Sequence, residues 1–301
     1  MIKIENLVYK EDDEAKCFAS ENFNFIYSKI DNTSCSWGKT KDETPEYNPI
    51  SPETIIVKVD SNFLFNRDLI LKLISLDYKK GECISCITSV IIEGKQHDVF
   101  NNDEIKKLIN YVDTFKIVCF LKIDFENEFT LKDVFKIKYL GCKNVILNIS
   151  NINERSIKNT INILCENSIL VNCNFNINSK NVDNLINLFL DDYQLDVLST
   201  INFVKPMIKK DSLNKLTNVV KEKQLVNIIV NKEVKSRKKY EIKNKIDESG
   251  LFSCVVDFIN NKIYCENFNE NFVNIVDVKT LGDYWNSDSF NEVRQQLIKG
   301  F

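Results

Sequence analysis

Ten cysteines and one histidine are the residues of this 301-residue chain whose types could carry covalent or metal chemistry. The thiols fall at positions 17, 35, 83, 86, 119, 142, 165, 173, 254 and 265, and two spacings stand out. Cys83-Ile84-Ser85-Cys86 is a CxxC, which can grip a metal when it lies in a tight loop. Here it opens an apolar run, Ile87 to Ile92, that reads as a strand, where residues three apart point to opposite faces. Cys254 and Cys265 flank Asn260-Asn261, a predicted hairpin turn, and would face one another across it. Two readings stand for that pair, an auxiliary metal site or packed thiols. Cys83, Cys86, Cys254 and Cys265 are thus the candidate metal ligands, although no resident metal is expected. Most other thiols sit in runs such as Ile117-Val118-Cys119-Phe120 and read as small buried hydrophobes.

The single His97 excludes HExxH zinc sites and multi-histidine centres, and a Ser/His/Asp triad would have to use this residue. It reads as an exposed loop histidine. Trp37 and Trp285 read as anchors for their segments. Neither GxxxxGK followed by Ser or Thr nor GxGxxG occurs, so the usual phosphate cradles are missing. Forty Lys and Arg against 43 Asp and Glu give a net charge of -3, with no basic field for nucleic acid. No window is apolar enough to span a bilayer, and the start, MIKIENLVYKEDDE, lacks the pattern of a signal peptide. A cytoplasmic location with reduced thiols is the expectation.

Any site needs elements to hold it. From residue 54 to about 231, β-branched runs alternate with amphipathic stretches. Strands are expected at 54–59, 83–92, 116–123, 144–149, 169–177, 197–204 and 226–230, with helices starting near Arg67, Asn102, Thr130, Arg155, Asn181 and Asp211. Strand starts recur every ~26–32 residues, the spacing of βα units in a parallel sheet. Thr130 caps a run ending at Leu140-Gly141, where glycine suits a left-handed C-cap. The fold class is α/β, a partial (β/α) barrel of six or seven units. Residues 1–53, with three of the four prolines, read as an irregular extension that can add a hairpin, and 232–249 as a lysine-rich linker. Beyond it come a hairpin and a helix introduced by Thr280.

Parallel α/β sheets bind ligands past the carboxyl ends of their strands. The candidates there are Asp60, Ser61 and Asn62, then Glu93 and Gly94, Asp124, Asn148 with Ser150, and Asn178. The competing reading is that these polar residues close helix ends and loops.

Three stretches resemble the radical S-adenosylmethionine (radical SAM) superfamily with a C-terminal SPASM-type extension, found in enzymes that modify ribosomal peptides. They are Phe25-Ile26-Tyr27 with Trp37-Gly38-Lys39-Thr40 and Ser51-Pro52-Glu53; Ser89 to Gly94 followed by Val99 to Ile105; and Cys254 to Asp257, Ile263-Tyr264-Cys265 and Thr280 to Ser287 with Phe290. The family's CxxxCxxC loop is absent, since no cysteine lies between 36 and 82, and Glu93-Gly94-Lys95-Gln96 replaces its G-G-E-P loop.

The resemblance implies a catalytically degenerate scaffold of three parts, 1–53, 54–231 and 232–301. It would hold a peptide substrate or pair with an active radical SAM enzyme as a hetero-oligomer, without cofactor. A second reading is an active enzyme using S-adenosylmethionine with an atypical 4Fe–4S site. A third is a purely structural or regulatory protein.

Overall fold

The computed structural model describes residues 8–19, 24–37, 39–41, 44–46, 51–76, 84–191, 197–203, 208–222, 228–231, 252–266 and 268–299. In chain order the first elements are β1 (Val8–Glu11), β2 (Ala15–Ala19), β3 (Asn24–Ser28), β4 (Thr33–Trp37), β5 (Lys39–Lys41), β6 (Thr44–Glu46) and β7 (Thr54–Lys58). There follow α1 (Arg67–Ile74), β8 (Ser89–Lys95), α2 (Gln96–Asn101), α3 (Asp103–Asp113), β9 (Val118–Asp124), α4 (Leu131–Leu140), β10 (Asn144–Ile149) and α5 (Glu154–Glu166). The remainder is β11 (Leu170–Ile177), α6 (Val182–Asp191), β12 (Leu198–Phe203), α7 (Lys210–Glu222), β13 (Ile228–Asn231), β14 (Ser253–Asp257), β15 (Lys262–Cys265) and β16 (Phe272–Asn274), then α8 (Leu281–Trp285) and α9 (Asp288–Lys299). This is a mixed α/β fold with parallel sheet and helices. The described residues divide into two compact units, one drawn from 1–92, 104–119 and 245–301, the other from 93–103 and 120–244.

In the first unit, β1 to β4 form an antiparallel meander where the sequence suggested an irregular extension. Phe18, Phe25 and Tyr27 are buried with Cys86 beneath it. The meander is tied down by Lys16, whose Nζ donates to Ile87 O at 2.5 Å, and by the Tyr27 hydroxyl, which donates to Lys116 O at 3.1 Å. A second sheet carries β8, β7, β14, β15 and β16 in that order. β14 runs parallel to β7, with Ser253 opposite Thr54 and Asp257 opposite Lys58. All five residues of β14 are buried. The hairpin β14–β15 is an inner part of this unit's sheet, since β14 pairs with β7 and β15 with β16. Thr280 caps α8 through a capping box with Asp283. The α8 residues Tyr284 and Trp285 are buried, and the Tyr284 hydroxyl donates to Leu73 O at 2.8 Å.

The second unit takes strands in the order β13-β12-β11-β10-β9, all parallel. Thr130 and Asp133 make the capping box of α4, and Gly141 ends it in the left-handed region at φ 85°. The helix expected near Asn102 is α3, and it is preceded by α2, which has no side-chain N-cap to announce it. The strand expected from Cys83 starts at Ser89. Cys83 and the linker 232–249 lie outside the described residues.

Two measurements test this packing. Phe175, fully buried against Phe189 at 5.9 Å between ring centroids, should lose about 3–5 kcal/mol on truncation to Ala. Thr130→Ala should cost about 1 kcal/mol, and denaturant unfolding reads both. Burial raises the pKa of Glu53, opposed by hydrogen bonds from Ser36 and Ser34. A carboxyl whose folded pKa is raised favours the fold when protonated, and that contribution is lost as pH rises through the folded value. The wild type should accordingly lose stability relative to Glu53→Gln as pH climbs from about 4.3, the ordinary value for glutamate, through that raised one.

Candidate functional site

The site is built by period-two alternation in the second unit. In β11, Val171, Cys173, Phe175 and Ile177 are buried while Asn172, Asn174 and Asn176 are only half-buried. β10 repeats the pattern with Val145, Leu147 and Ile149 buried and Asn148 on the other face. In β9, Phe120, Lys122 and Asp124 occupy the less buried positions between Leu121 and Ile123. Apolar side chains thus cover one face, and the other collects carboxamides and charges near the strands' carboxyl ends.

These groups are joined in a line. Asn148 Nδ2 donates to Asp124 Oδ1 at 2.6 Å, Asn176 Nδ2 to Asn148 Oδ1 at 2.7 Å, and Asn202 Nδ2 to Asn176 Oδ1 at 3.4 Å. Register explains the reach, since Asn148 lies directly opposite Asp124 and Asn202 opposite Asn176. Asn148 is directly opposite Asn174, so Asn176 spans to it diagonally. Every amide in the relay points its N–H toward the carboxylate of Asp124. On the same face Lys122 Nζ pairs with Glu93 Oε2 at 2.7 Å, each side chain about four-fifths buried.

The expected site residues divide accordingly. Glu93, Asp124 and Asn148 belong to this polar face, and Gly94 follows Glu93 in β8, half-buried. Asn178 instead organises a loop, where its N–H donates to Asn181 Oδ1 and its Oδ1 accepts from Lys180 N. Asn181 in turn donates to Ser150 O and Asn176 O, holding the loops after β10 and β11. Asp60, Ser61 and Asn62 lie in the first unit, where Asp60 Oδ1 accepts from Asn62 N in a tight turn and Ser61 and Asn62 are exposed. Sequence reasoning missed Lys122, Asn176 and Asn202. The signal was the Asn-x-Asn-x-Asn alternation of β11, which a search beyond the strand ends passes over.

Among the described thiol candidates only Cys254 and Cys265 come together. Cys86 is buried in the loop before β8, its N–H donating to Ser51 Oγ at 2.8 Å, and burial pushes its thiol up to about 12. Cys254 and Cys265 are direct partners across the β14–β15 hairpin, both fully buried, and burial pushes Cys265 up to about 12. Among the described residues no three His, Cys, Asp or Glu side chains come together as a metal-holding group. His97 is exposed, 2.9 Å from Asp98. No helix among the described residues is long and apolar enough to cross a membrane.

No family model matches the chain. No curated protein matches it either. Among solved structures it is similar to an HpcH/HpaI aldolase from Desulfitobacterium hafniense DCB-2, at 9% identity over 60% of this chain and 76% of that one, with a TM-score of 0.36. It is also similar to the YdjI aldolase from Escherichia coli K12, at 10% identity over 56% of this chain and 64% of that one, with a TM-score of 0.34. Likenesses this distant carry no argument about activity. The expected radical SAM family is not borne out: no family model or curated protein of that kind matches, and the solved structures found are described as aldolases. The radical SAM and SPASM resemblance is withdrawn. With it go the degenerate peptide-binding scaffold, the enzyme with an atypical 4Fe–4S site and the link to peptide modification.

Replacing Lys122 by Met tests the charge pair. The Glu93 carboxylate would keep its burial and lose its cation, which should cost about 1–3 kcal/mol in chemical unfolding. Glu93→Gln in the same background should restore part of the stability at neutral pH.

Proposed function

We propose that the polar face of the second unit binds a small polyhydroxylated ligand of the carbohydrate kind, at the carboxyl ends of the strands of a partial α/β barrel. The observation that carries this reading is the oriented amide relay from Asn202 through Asn176 and Asn148 to Asp124. A carboxamide has two N–H donors and two carbonyl lone pairs. The relay uses one of each on Asn148, leaving one donor and one acceptor a fixed distance apart. A hydroxyl both donates and accepts, so a ring bearing several of them matches such a row better than a phosphate or an aliphatic chain does. Lys122 on this face is already paired with Glu93, so it is not a surplus cation for an anionic ligand. Phe120, on the same face of β9 and half-buried, supplies an apolar surface against which the C–H side of a sugar ring can rest.

The test is a titration of the full chain with monosaccharides, linear polyols, sugar acids and hydroxyl-free compounds of similar size, read by calorimetry. A hexose or polyol should bind, and Asn148→Ala should weaken it by about tenfold or more, a loss of about 1.4 kcal/mol. Preference for sugar acids would move the reading to an anion site centred on Lys122. No heat from any hydroxylated compound, or binding unchanged in Asn148→Ala, would reject it and leave the relay as internal support of the sheet.

A further inference from the structure

The first unit holds a pair of thiols, Cys254 and Cys265, that the sugar reading does not use. Phe258 N donates to Lys58 O at 3.1 Å, and Phe252 O accepts from Glu53 N at 2.7 Å. Residues of a strand alternate in the neighbour their backbone groups address, so the even-numbered residues of β14, Cys254 among them, spend theirs on β7. Val255 and Asp257 therefore turn their N–H and C=O groups to β15. It follows that Cys254 and Cys265, direct partners in register, form a non-hydrogen-bonded pair. In such pairs the Cα atoms approach most closely, at about 4.5 Å, with both side chains on one face. A disulfide takes Cα separations of about 4.4–6.8 Å, so this pair can be bridged without moving the strands.

The surroundings distinguish the two sulfurs. The Arg294 guanidinium, 2% exposed, lies 4.5 Å from the Trp285 ring centroid, and its Nη2 donates to Asn291 Oδ1 at 2.6 Å. Its Nη1 is buried without a hydrogen-bond partner. Burial holds the Cys265 thiol up, and the Arg294 charge offsets part of that rise. Cys254 instead has the Tyr284 hydroxyl 3.7 Å from its sulfur. β16 pairs with Lys262 to Tyr264 and stops short of Cys265, so that end of β15 can open without breaking the β15–β16 ladder.

We propose that Cys254 and Cys265 are a redox-active dithiol that closes to a disulfide across the hairpin, with Cys265 as the thiol that exchanges with an external low-molecular-weight disulfide. The Cys265 proton leaves to solvent, and its thiolate attacks one sulfur of the external disulfide. That S–S bond breaks, a mixed disulfide forms, and one external thiol departs. Cys254, deprotonated in turn, attacks the Cys265 sulfur, and the second external thiol leaves. The two cysteines lose two electrons and two protons, and the external disulfide is reduced to two thiols.

The experiment treats the reduced full chain with oxidised glutathione, without urea and at increasing low urea, quenches by alkylation and maps unreduced peptides. A Cys254–Cys265 link should form ahead of any other protein disulfide, with exposed Cys35 and Cys165 taking adducts that the map separates. Cys254→Ser should trap glutathione on Cys265, whereas Cys265→Ser should leave Cys254 unmodified over the same time. Arg294→Gln should slow closure by about three- to tenfold and move its pH profile upward, with Arg294→Lys restoring most of the rate. Absence of the link at urea concentrations that already expose Cys86 and Cys173 to alkylation would overturn the proposal. So would a statistical mixture of pairings.

Discussion

The alternation along β9, β10 and β11 is the constraint on which the second unit rests. A parallel strand covered by helices on both faces ordinarily reads as a continuous apolar run. Here every second residue is apolar and buried, and the intervening positions carry Asn148, Asn172, Asn174, Asn176, Lys122 and Asp124. A one-residue slip in register would turn Phe175 and Ile177 to the polar face and put asparagines against the helices. Register, core and site are thus one property of the sequence.

The cost of half-burying so many polar groups is met by their mutual bonding. Carboxamides that would lose water alone are linked end to end, and the last N–H in the line reaches a carboxyl oxygen of Asp124. Neighbouring bonds in such a chain polarise one another. Lys122 and Glu93 solve the same problem by pairing. The side chains of this face are therefore held in place by one another.

Much of this organisation was legible in the residues. The βα rhythm, the Thr130 and Thr280 caps, the Gly141 stop and the Asn260-Asn261 turn all follow from local chemistry, and the helices and hairpin form there. The C-terminal strand was different, because nothing near Ser253 or Thr54 announces that the two will be neighbours. Pairing across so long a separation is decided by tertiary burial. The candidate site was legible in part. Glu93, Asp124 and Asn148 stood out as polar residues at strand ends, while Lys122, Asn176 and Asn202 lie within strands, where only the period of two betrays them. Asp60, Ser61, Asn62 and Asn178 satisfied the same positional rule, and Asp60, Asn62 and Asn178 hydrogen-bond with their own loops.

The parallel pairing of β7 with β14 bears on the order in which the chain can be assembled. In the second unit each of β9 to β13 pairs with a strand adjacent in sequence, so its sheet can grow as the polypeptide leaves the ribosome. β7 emerges early, and the strand that covers one of its edges is made only after all of β8 to β13. Until then a short apolar strand, with Ile55, Ile56 and Val57 in succession, presents open backbone groups to whatever is nearby. The nascent protein thus carries a sticky edge until β14 has been made, and closing it belongs to the slow, non-local part of folding.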